Sequence, residues 1–540
     1  MRTFKGLTSL IILILCLNTL HAVNEMPVIA SFQGEHHGSM FGYSMTSLDF
    51  NHDGIDDLAV CAFAYGYEYG ETPTRGKVYI YLGGPDFSSA TPASMTLEGN
   101  YNDVDGRQVR AVYKVGDING DGFDDLCVFI HDRVSINNFT GSLLFYYGGT
   151  PDLSVPDYEI PLHDFYNSYV RVYPLGDVNG DGYDDMGFDY TYKPTIDGRH
   201  SVIFGGTFEE QVLTSPGEIS PSYASCIHGI GDINNDGYDD FTSAFATPRH
   251  DPTHNLIRLY YGNAECNFDN PITFIHCQYG ISQGSKPLGD MNGDGYDDFM
   301  GYATNGGMHV WLGGQEIDYT FPDFNMLPIW YGGEFMRSLE HGDFNGDGYS
   351  DAAGAGIGSG FAVWLGKRNV NGTADLIVGN QGYDYYGYSL ATGDFNGDGY
   401  DDIAVAASHD DSAPWAQGTY YGFVWVHAGN AQLKDTTVDS DDPSIPSISG
   451  DLLLKLSPNP ITRADNTLNI ELQSKSPNGH EQVAIEIYNI KGQSVLKEVY
   501  QSQLDARTYR VPASSLANGI YFCRVTCGKQ QATGKFCVIK

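Results

Sequence analysis

Basic residues are scarce in this chain of 540 residues, where 29 Lys and Arg stand against 68 Asp and Glu and the formal net charge is −39. Nucleic acid and anionic membrane surfaces repel a protein of such charge, which argues against both as partners. The nine cysteines include no Cys-x-x-Cys pair, so the sequence gives no sign of a zinc site. After residue 22, no apolar run approaches the roughly 18 residues of a membrane-spanning helix.

Two further catalytic motifs are absent as well. The chain has no His-Glu-x-x-His and no phosphate-binding glycine loop. Two histidine-rich segments, His36-His37 and His250-Asp251-Pro252-Thr253-His254, are the remaining candidates for a base or a transition-metal site. We interpret both as exposed polar segments and predict a protein that is not an enzyme.

One nine-residue pattern, Asp-x-Asn-x-Asp-Gly-x-x-Asp, occurs seven times. A hard cation such as Ca²⁺ takes several oxygen ligands at about 2.3–2.6 Å, which side chains at positions one, three, five and nine and the carbonyl of position seven supply. Glycine at position six permits a sharp turn. The predicted ligands, in the order of these positions, are Asp49, Asn51, Asp53, Ile55 and Asp57; Asp117, Asn119, Asp121, Phe123 and Asp125; Asp177, Asn179, Asp181, Tyr183 and Asp185; Asp232, Asn234, Asp236, Tyr238 and Asp240; Asp290, Asn292, Asp294, Tyr296 and Asp298; Asp343, Asn345, Asp347, Tyr349 and Asp351; and Asp394, Asn396, Asp398, Tyr400 and Asp402.

These loops also explain much of the negative charge. They contain 27 acids, because each has three Asp ligands and all but the sixth, which has Ser350, carry an Asp at position eight. Carboxylates crowded around one centre repel by a few kcal/mol at the effective dielectric of a protein surface. We therefore predict up to seven structural Ca²⁺ ions, each holding one hairpin in place. Loop four differs mildly, since Asn235 replaces glycine at position four and Asn also tolerates left-handed geometry.

The sequence around the loops predicts β-structure. Position twelve lacks the bidentate Glu of an EF-hand, and each loop runs into a short apolar stretch such as Leu58-Ala59-Val60-Cys61, which is typical of a strand. Successive loops begin 68, 60, 55, 58, 53 and 51 residues apart, and such a period indicates a propeller or another repeat array. The seventh unit lacks an outer strand, whereas residues 28–32 form an unattached one. We predict that this strand completes the last blade and closes the ring.

Over residues 24–430 these repeats resemble the FG-GAP repeats of integrin α-subunits and related extracellular proteins. Phe41-Gly42-Tyr43-Ser44 before the first loop and Tyr386-Gly387-Tyr388-Ser389 before the seventh match the opening motif of that family. The resemblance implies an all-β fold, a seven-bladed β-propeller with calcium ions at hairpins on one face. It also implies that ligand recognition takes place on the opposite face.

Loops on that opposite face are the candidate binding surface, because aromatic and Arg residues are favoured at recognition surfaces. The candidates are Tyr65, Tyr67, Tyr69 and Arg75 in the first blade, Tyr192, Lys193 and Arg199 in the third, and Trp415 and Tyr420 in the seventh. Ordinary loop packing in a Tyr-rich protein explains each of these residues at least as well.

The two ends of the chain differ from its middle. Residues 1–22 have the pattern of a signal peptide, with Arg2 and Lys5 before a mostly apolar run. We assign residues 23–429 to the propeller and the polar residues 430–451 to a linker. Residues 452–540 carry more Lys and Arg than Asp and Glu and contain period-two apolar runs, which indicates a small Ig-like β-sandwich.

The tail resembles the C-terminal sorting domain of the type IX secretion system. The matching segments are Leu456-Ser457-Pro458-Asn459-Pro460, Ile487-Tyr488-Asn489-Ile490-Lys491-Gly492, Leu516-Ala517-Asn518-Gly519-Ile520-Tyr521 and Lys535-Phe536-Cys537-Val538-Ile539-Lys540. The resemblance implies the secretion machinery as a partner. It also implies a protein that is secreted, or displayed on the outer-membrane surface of a Gram-negative bacterium of Bacteroidetes type. A carbohydrate-binding or plain Ig-like module is the alternative.

Export permits disulfides. Cys266 and Cys277 bracket a hairpin-like stretch and are one candidate pair, whereas we expect Cys61 and Cys127 to be free core residues. From all these features we predict a secreted or cell-surface, calcium-binding β-propeller that mediates binding or adhesion to a protein or glycan. A polysaccharide lyase on a calcium propeller and a structural surface-layer protein are the alternatives.

Overall fold

A computed structural model describes the chain from residue 25 to 434 and from 452 to 539. Shorter stretches inside these ranges are not described, namely 37, 66–74, 101–106, 136–137, 150–151, 193–196, 214–225, 246–255, 276–284, 303–307, 318–321, 327–337, 369, 371, 381–382, 384, 409–420, 458–460, 463–466, 475–481, 490–493, 502–507, 513–515, 518 and 528–529. Contacts divide the chain into two compact units, residues 1–437 and 438–540. Every regular element among the described residues is a β-strand, so the predicted all-β class is confirmed.

The described part of the first unit contains 27 strands. They are β1 (Val28–Gln33), β2 (Phe41–Leu48), β3 (Asp57–Ala62), β4 (Lys77–Tyr81), β5 (Met95–Glu98), β6 (Arg107–Gly116), β7 (Asp125–Ser135), β8 (Asn138–Tyr146), β9 (Tyr158–Gly176), β10 (Asp185–Tyr192), β11 (Asp197–Ile203), β12 (Glu210–Leu213), β13 (Cys226–Gly231), β14 (Asp240–Phe245), β15 (Leu256–Tyr260), β16 (Ile272–Ile275), β17 (Ser285–Gly289), β18 (Asp298–Tyr302), β19 (Met308–Trp311), β20 (Phe324–Met326), β21 (Ser338–Gly342), β22 (Asp351–Gly356), β23 (Gly360–Trp364), β24 (Leu376–Gly379), β25 (Leu390–Gly393), β26 (Asp402–Ala407) and β27 (Phe423–His427).

These strands pair antiparallel in groups of four, which we number in chain order. Group 1 is β2–β5, group 2 is β6–β9, group 3 is β9–β12, group 4 is β13–β16, group 5 is β17–β20, group 6 is β21–β24, and group 7 is β25–β27 with β1. Groups 2 and 3 form one sheet of seven strands, because the long β9 is the last strand of one and the first of the other. Phe165 in β9 pairs with Phe139 of β8 on one side and with Tyr192 of β10 on the other.

The first strands of the groups contact one another in a closed order. β2 contacts β6, β6 contacts β9, and the series continues through β13, β17, β21 and β25 back to β2. The last group takes its outer strand from the other end of the chain, since Ala30 of β1 pairs with Val426 of β27 and Gln33 with Phe423. This is the strand that sequence analysis placed there. The pairing covers an edge that group 7 would otherwise expose.

Side chains of β1 and of the residues just after it also contact group 1. We call this junction of groups 7 and 1 the seam. The ring of Phe32 stacks on that of Tyr81 at 4.2 Å between centroids. The ammonium of Lys77 lies 2.9 Å from Glu35 Oε1, and its side chain is only 11% exposed. Tyr65 joins this cluster through its hydroxyl, which donates to Glu35 Oε2 at 3.1 Å. The seam therefore combines strand pairing, ring stacking and a half-buried ion pair.

Buried side chains lie between neighbouring groups. Successive residues of a strand point to opposite faces: Leu58 and Val60 of β3 pack in a cluster with group 7, whereas Ala59 and Cys61 pack with group 2. Both faces of the strand are thus covered, which explains why this stretch is continuously apolar rather than alternating.

Among its described residues, the second unit has eight strands in two sheets. These strands are β28 (Leu452–Ser457), β29 (Ile461–Thr462), β30 (Thr467–Ser474), β31 (Gln482–Asn489), β32 (Ser494–Gln501), β33 (Thr508–Pro512), β34 (Gly519–Cys527) and β35 (Gln530–Ile539). One sheet has the order β28-β30-β33 and the other β29-β35-β34-β31-β32. Ile470 and Val511 of the first sheet share a buried cluster with Ile485 and Val525 of the second, so the sheets pack face to face.

Candidate metal centres

Each nine-residue loop connects the first strand of its group to the second. Loop one, for example, begins at Asp49 directly after β2, and position nine, Asp57, is the first residue of β3. The same arrangement holds in all seven groups. All loops therefore lie at the same end of their strand groups.

Positions one, three and five are drawn together by backbone N–H groups of the loop itself. In loop two the Asp117 carboxylate accepts from the N–H of Asp121 at 3.0 Å and of Gly122 at 2.7 Å. Asn119 Oδ1 accepts from the N–H of Asp121 at 2.8 Å, and Asp121 Oδ1 from that of Phe123 at 3.0 Å. The bonds from positions five and six to the carboxylate of position one recur in every loop.

Two positions of the loop adopt left-handed backbone geometry. At position six φ lies between 84° and 93°, as Gly54 and Gly237 show, which agrees with the predicted need for glycine. At position four Asn235 has a φ of 56°, as expected, but His52 of loop one also stands there with a φ of 58°. Sequence analysis overlooked this second replacement, which the alignment of the seven loops would have revealed.

Position nine is the most buried of the predicted ligands in each loop. All seven of these aspartates have no exposed surface. In loop three, Asp185 Oδ1 accepts from the N–H of Gly205 at 2.9 Å, and Oδ2 from the N–H of Val178 at 3.1 Å. In loop seven, Oδ2 of Asp402 is buried and accepts no hydrogen bond from the described residues. A buried carboxylate oxygen that has no hydrogen-bond donor and lies beside two further aspartates is a favourable ligand for a cation.

Burial raises the pKa of these carboxyls, and the aspartates at positions five and one raise it further by repulsion. The pKa rises to about 7 for Asp57, Asp125, Asp185 and Asp298 and to about 8 for Asp240 and Asp402. The pKa of Asp351 is also raised well above its usual value. Ionising these carboxyls without a bound cation is therefore unfavourable, because burial removes the water that would solvate the charge.

The donor set fits Ca²⁺ in kind, because carboxylate and amide oxygens are its preferred ligands and an ionised carboxylate that accepts one N–H still has free lone pairs. Among the described residues, however, no three carboxylate, imidazole or thiol groups are gathered closely enough to hold a metal ion together. In loops two to six the Asn Nδ2 at position three donates to the Asp Oδ2 at position five. Ion binding would have to displace this side-chain bond.

Neighbouring loops are connected by hydrogen bonds through position eight, and we call each connection between two loops a joint. Sequence analysis missed this role of position eight. At six of the seven joints the N–H of position one donates to the carboxylate at position eight of the next loop. The distance is 2.8 Å from Asp117 N to Asp184 Oδ2, and 3.0 Å from Asp394 N to Asp56 Oδ2, which links loop seven to loop one. Asp recurs at position eight in six loops, and this was the available signal.

One glycine that follows the third strand of each group completes the joint. It donates its N–H to the position-nine carboxylate, as Gly83 does to Asp57 Oδ1 at 2.8 Å. A Cβ on Gly83 would come within 2.2 Å of the Asp56 carbonyl oxygen, so no other residue fits there. The residue after it donates to the position-two carbonyl of the preceding loop, as Gly84 does to Phe395 at 2.9 Å. This last bond is present at all seven joints.

The joint between groups 5 and 6 is the exception. Ser350 stands at position eight, and its Oγ is buried and makes no hydrogen bond to the described residues. Its side chain is too short to reach the Asp290 N–H as an aspartate would. The backbone bond from Ser350 N to the Asp290 carbonyl, at 3.0 Å, is kept.

Comparison with known proteins agrees with this repeated architecture. Residues 386–427 match the family model described as FG-GAP repeat, and residues 49–128 match the FG-GAP-like repeat. Residues 455–540 match the secretion system C-terminal sorting domain. The chain carries FG-GAP repeats and a type IX sorting domain. Such a sorting domain indicates a secreted or cell-surface protein that the secretion machinery recognises.

Integrin α-subunits are among the similar proteins. Integrin alpha-5 of Xenopus laevis is 35% identical over 106 residues, which cover 19% of this chain and 10% of the relative. Integrin alpha-8 of Homo sapiens is 30% identical over 132 residues, or 24% of this chain and 12% of the relative. The chain thus spans about a tenth of the length of these relatives. A solved structure described as "Structure of Dos1 propeller" has a TM-score of 0.42 and 11% identity, and covers 75% of this chain and 96% of that one.

Few of the predicted ligand-face residues are described. Tyr65 is buried at the seam, and Arg75 forms a surface ion pair with Glu98 at 2.7 Å. The side chains of Tyr192 and Arg199, as well as Tyr67, Tyr69, Lys193, Trp415 and Tyr420, lie outside the described residues, as do the signal peptide, His37, His250 and His254. No helix in the described part of the chain is long and apolar enough to cross a membrane.

The described cysteines are free thiols. Cys61 and Cys127 are buried, as expected for core residues. Cys266 is recorded as a free thiol, and its candidate partner Cys277 lies outside the described residues.

Proposed function

We propose that the first unit is a seven-bladed β-propeller held together by up to seven structural Ca²⁺ ions, and that it binds a protein or glycan outside the cell. The observation that carries the calcium assignment is the burial of the position-nine aspartates beside two further carboxylates in every loop. The closed order of contacts among the first strands supports the seven blades. Extracellular calcium fills even sites with a Kd on the order of 10⁻⁴–10⁻³ M.

Calcium binding is tested by native mass spectrometry and by thermal unfolding of the purified chain with calcium and with chelator. Because all five tryptophans lie in the first unit, at Trp311, Trp330, Trp364, Trp415 and Trp425, their fluorescence reports on that unit alone. We expect close to seven bound ions and a marked loss of Tm in chelator. An absence of bound calcium together with an unchanged Tm would contradict the assignment.

For ligand binding we propose the loops that join the second and third strands of each group. These loops lie at the end of the strands opposite the calcium loops, because consecutive strands are antiparallel. Residues 63–76 and 408–422 are two of them and contain most of the predicted contact residues. We propose a binding rather than a catalytic role, since the loop carboxylates are engaged in hydrogen bonds that position the backbone.

A screen of the calcium-loaded chain against immobilised glycans and extracellular proteins tests this role. Replacing Tyr67, Tyr69 and Arg75 by Ala should weaken capture of a ligand at least tenfold, and the Tm, measured alongside, separates the loss of a contact from the loss of the fold. The matched control replaces Asp152, an exposed residue whose carboxylate bonds only to Ser154 among the described residues. Ligands bound equally by all variants would point away from this face.

For the second unit we propose an Ig-like sandwich, supported by its two facing sheets. We further propose that the protein comes from a Gram-negative bacterium of Bacteroidetes type, the group implied by the sorting domain.

A further inference from the structure

A cavity of about 610 Å³ lies between the first strands of all seven groups. This volume falls in the range of about 300–1,000 Å³ that is usual for ligand pockets. Tyr43, Tyr113, Tyr173 and Tyr388 line its wall, together with charged residues. Of the calcium loops, only position eight of loops one and seven, Asp56 and Asp401, lines this space, and none of the predicted calcium ligands does.

Three cations and three carboxylates line the cavity. The cations, Lys114, Arg171 and Lys286, are three of the 16 Lys and Arg between residues 23 and 451, and the carboxylates are Asp56, Glu340 and Asp401. Asp56 and Asp401 already accept the N–H groups of Asp394 and Asp343. Lys114 is engaged with the loops, since its ammonium lies 2.6 Å from Asp124 Oδ2. Tyr173 and Asp189 of β10 both raise the pKa of Arg171, and the Asp189 carboxylate balances part of its charge.

Lys286 is the least satisfied of the three. Its ammonium is 3.7 Å from Glu340 Oε1, beyond the roughly 2.7–2.9 Å of a charge-assisted hydrogen bond. An ammonium has three donors, so this loose pairing leaves room for a second, closer acceptor. Its side chain is 27% exposed, which is consistent with access from the cavity.

His228 lines the same wall on the neighbouring strand β13. Its ring lies 4.1 Å from that of Tyr173, and its Nδ1 is buried with no hydrogen-bond partner among the described residues. Burial, together with the charges of Lys286 and Arg171, lowers its pKa well below the usual value, so the ring is neutral. A neutral imidazole donates from one nitrogen and accepts at the other, and therefore suits a polar ligand.

We infer that this cavity binds a small organic acid, with Lys286 contacting its carboxylate and His228 and the tyrosines contacting its hydroxyl groups or ring. The ligand class follows from the lining, because an ammonium recognises the anion and aromatic and imidazole groups recognise the polar ring. A chain of net charge −39 repels anions at long range, so such a ligand needs local cations to be held. This site is independent of the calcium proposal, since it uses no loop ligand.

Isothermal titration of the full chain in calcium-containing buffer tests the inference with three probes: D-glucuronate, acetate and D-glucose. We expect saturable binding of glucuronate and no measurable binding of glucose. Lys286→Met, which keeps the length of the side chain, should weaken glucuronate binding at least tenfold. The control is Lys367→Met, which lies outside the cavity lining and should bind as the unaltered chain does.

Glu340→Gln is the second variant, and it tests the inference independently if Lys286→Met does not fold. It removes the competing carboxylate and should tighten glucuronate binding about threefold or more. Weaker saturable binding of acetate would also support the carboxylate contact. Equal affinity for glucose and glucuronate, no saturable binding of any probe, or equal binding by Lys286→Met and Lys367→Met would overturn the inference.

Discussion

The joints between neighbouring loops fall into two kinds, and their difference separates the contribution of the backbone from that of the side chains. At six joints a carboxylate at position eight accepts the position-one N–H of the preceding loop. At the joint of groups 5 and 6, Ser350 leaves its own Oγ buried without a partner among the described residues. The bond from Lys367 N to the Met291 carbonyl nevertheless holds that joint at 2.8 Å. Backbone bonds thus set the register, and carboxylates add charge-assisted bonds to it.

The largest expected effect on stability comes from the aspartate at position nine, which is present at both kinds of joint. Its raised pKa means that the metal-free folded state binds protons more tightly than the unfolded chain, whose Asp pKa is about 3.9. Stability therefore decreases as the pH rises from about 4 to 8. A carboxyl whose pKa rises to about 7, such as that of Asp185, contributes at most about 4 kcal/mol to this loss.

Chelator-treated protein should accordingly have a higher Tm at pH 5 than at pH 8, measured by tryptophan fluorescence. Added calcium should remove or reverse this trend, because the ion binds the deprotonated carboxylates. A Tm in chelator that rises steadily from pH 5 to pH 8 would show that these carboxyls are not desolvated as described.

Removal of one position-nine carboxylate should come next in size. Asp185→Ala leaves the N–H groups of Gly205 and Val178 buried without acceptors, which costs about 3 kcal/mol. Urea unfolding in chelator measures this loss, and the loss should grow in calcium if the aspartate is also a ligand. The exposed Asp152→Ala serves as the control, and a similar midpoint for both variants would contradict the assigned role.

The two kinds of joint are compared directly by truncating position eight. Asp184→Ala removes the acceptor of the Asp117 N–H and should cost about 1–2 kcal/mol. Ser350→Ala should be neutral or slightly stabilising, because it deletes a buried hydroxyl that makes no bond to the described residues. Equal losses in the two variants, measured by urea unfolding, would mean that the carboxylate bond adds nothing.

The smallest and sharpest test makes the exceptional joint like the others. Ser350→Asp places a carboxylate within reach of the Asp290 N–H and should stabilise the calcium-loaded chain by about 1 kcal/mol. Asp at the same position in loop two, Asp124, already makes this bond at 3.2 Å. A destabilised Ser350→Asp variant would indicate that the nearby Glu340 and the loop acids repel the added charge.

The sequence predicts more of the loops than of their connections. The left-handed turn at Gly54 and the strand that begins at Asp57 follow from local rules, as does the extra outer strand at Val28. The merging of groups 2 and 3 through β9 does not, because no glycine or proline stands between Pro161 and Pro174 to mark a break in that run, and tertiary pairing decides it. Likewise, the acceptor role of Asp184 depends on a neighbour 67 residues away, which no local pattern encodes.

The cavity residues illustrate the same limit. Lys286, His228 and Arg171 are ordinary strand residues in sequence, separated by more than 50 residues from one another, and only the closed order of the first strands brings them to one wall. The fold class and the loop residues could therefore be predicted from repetition, whereas a site assembled from single residues of many repeats could not.

The pairing of β1 with β27 has a consequence for the order in which the protein folds. Val28 pairs with His427, so the ring closes only after nearly the whole first unit has been synthesised. Contacts of such long sequence separation form slowly, and until then β27 presents an open strand edge that favours association with other chains. In the closed ring the same pairing opposes unfolding, because neither end of the first unit separates until the hydrogen bonds between β1 and β27 break.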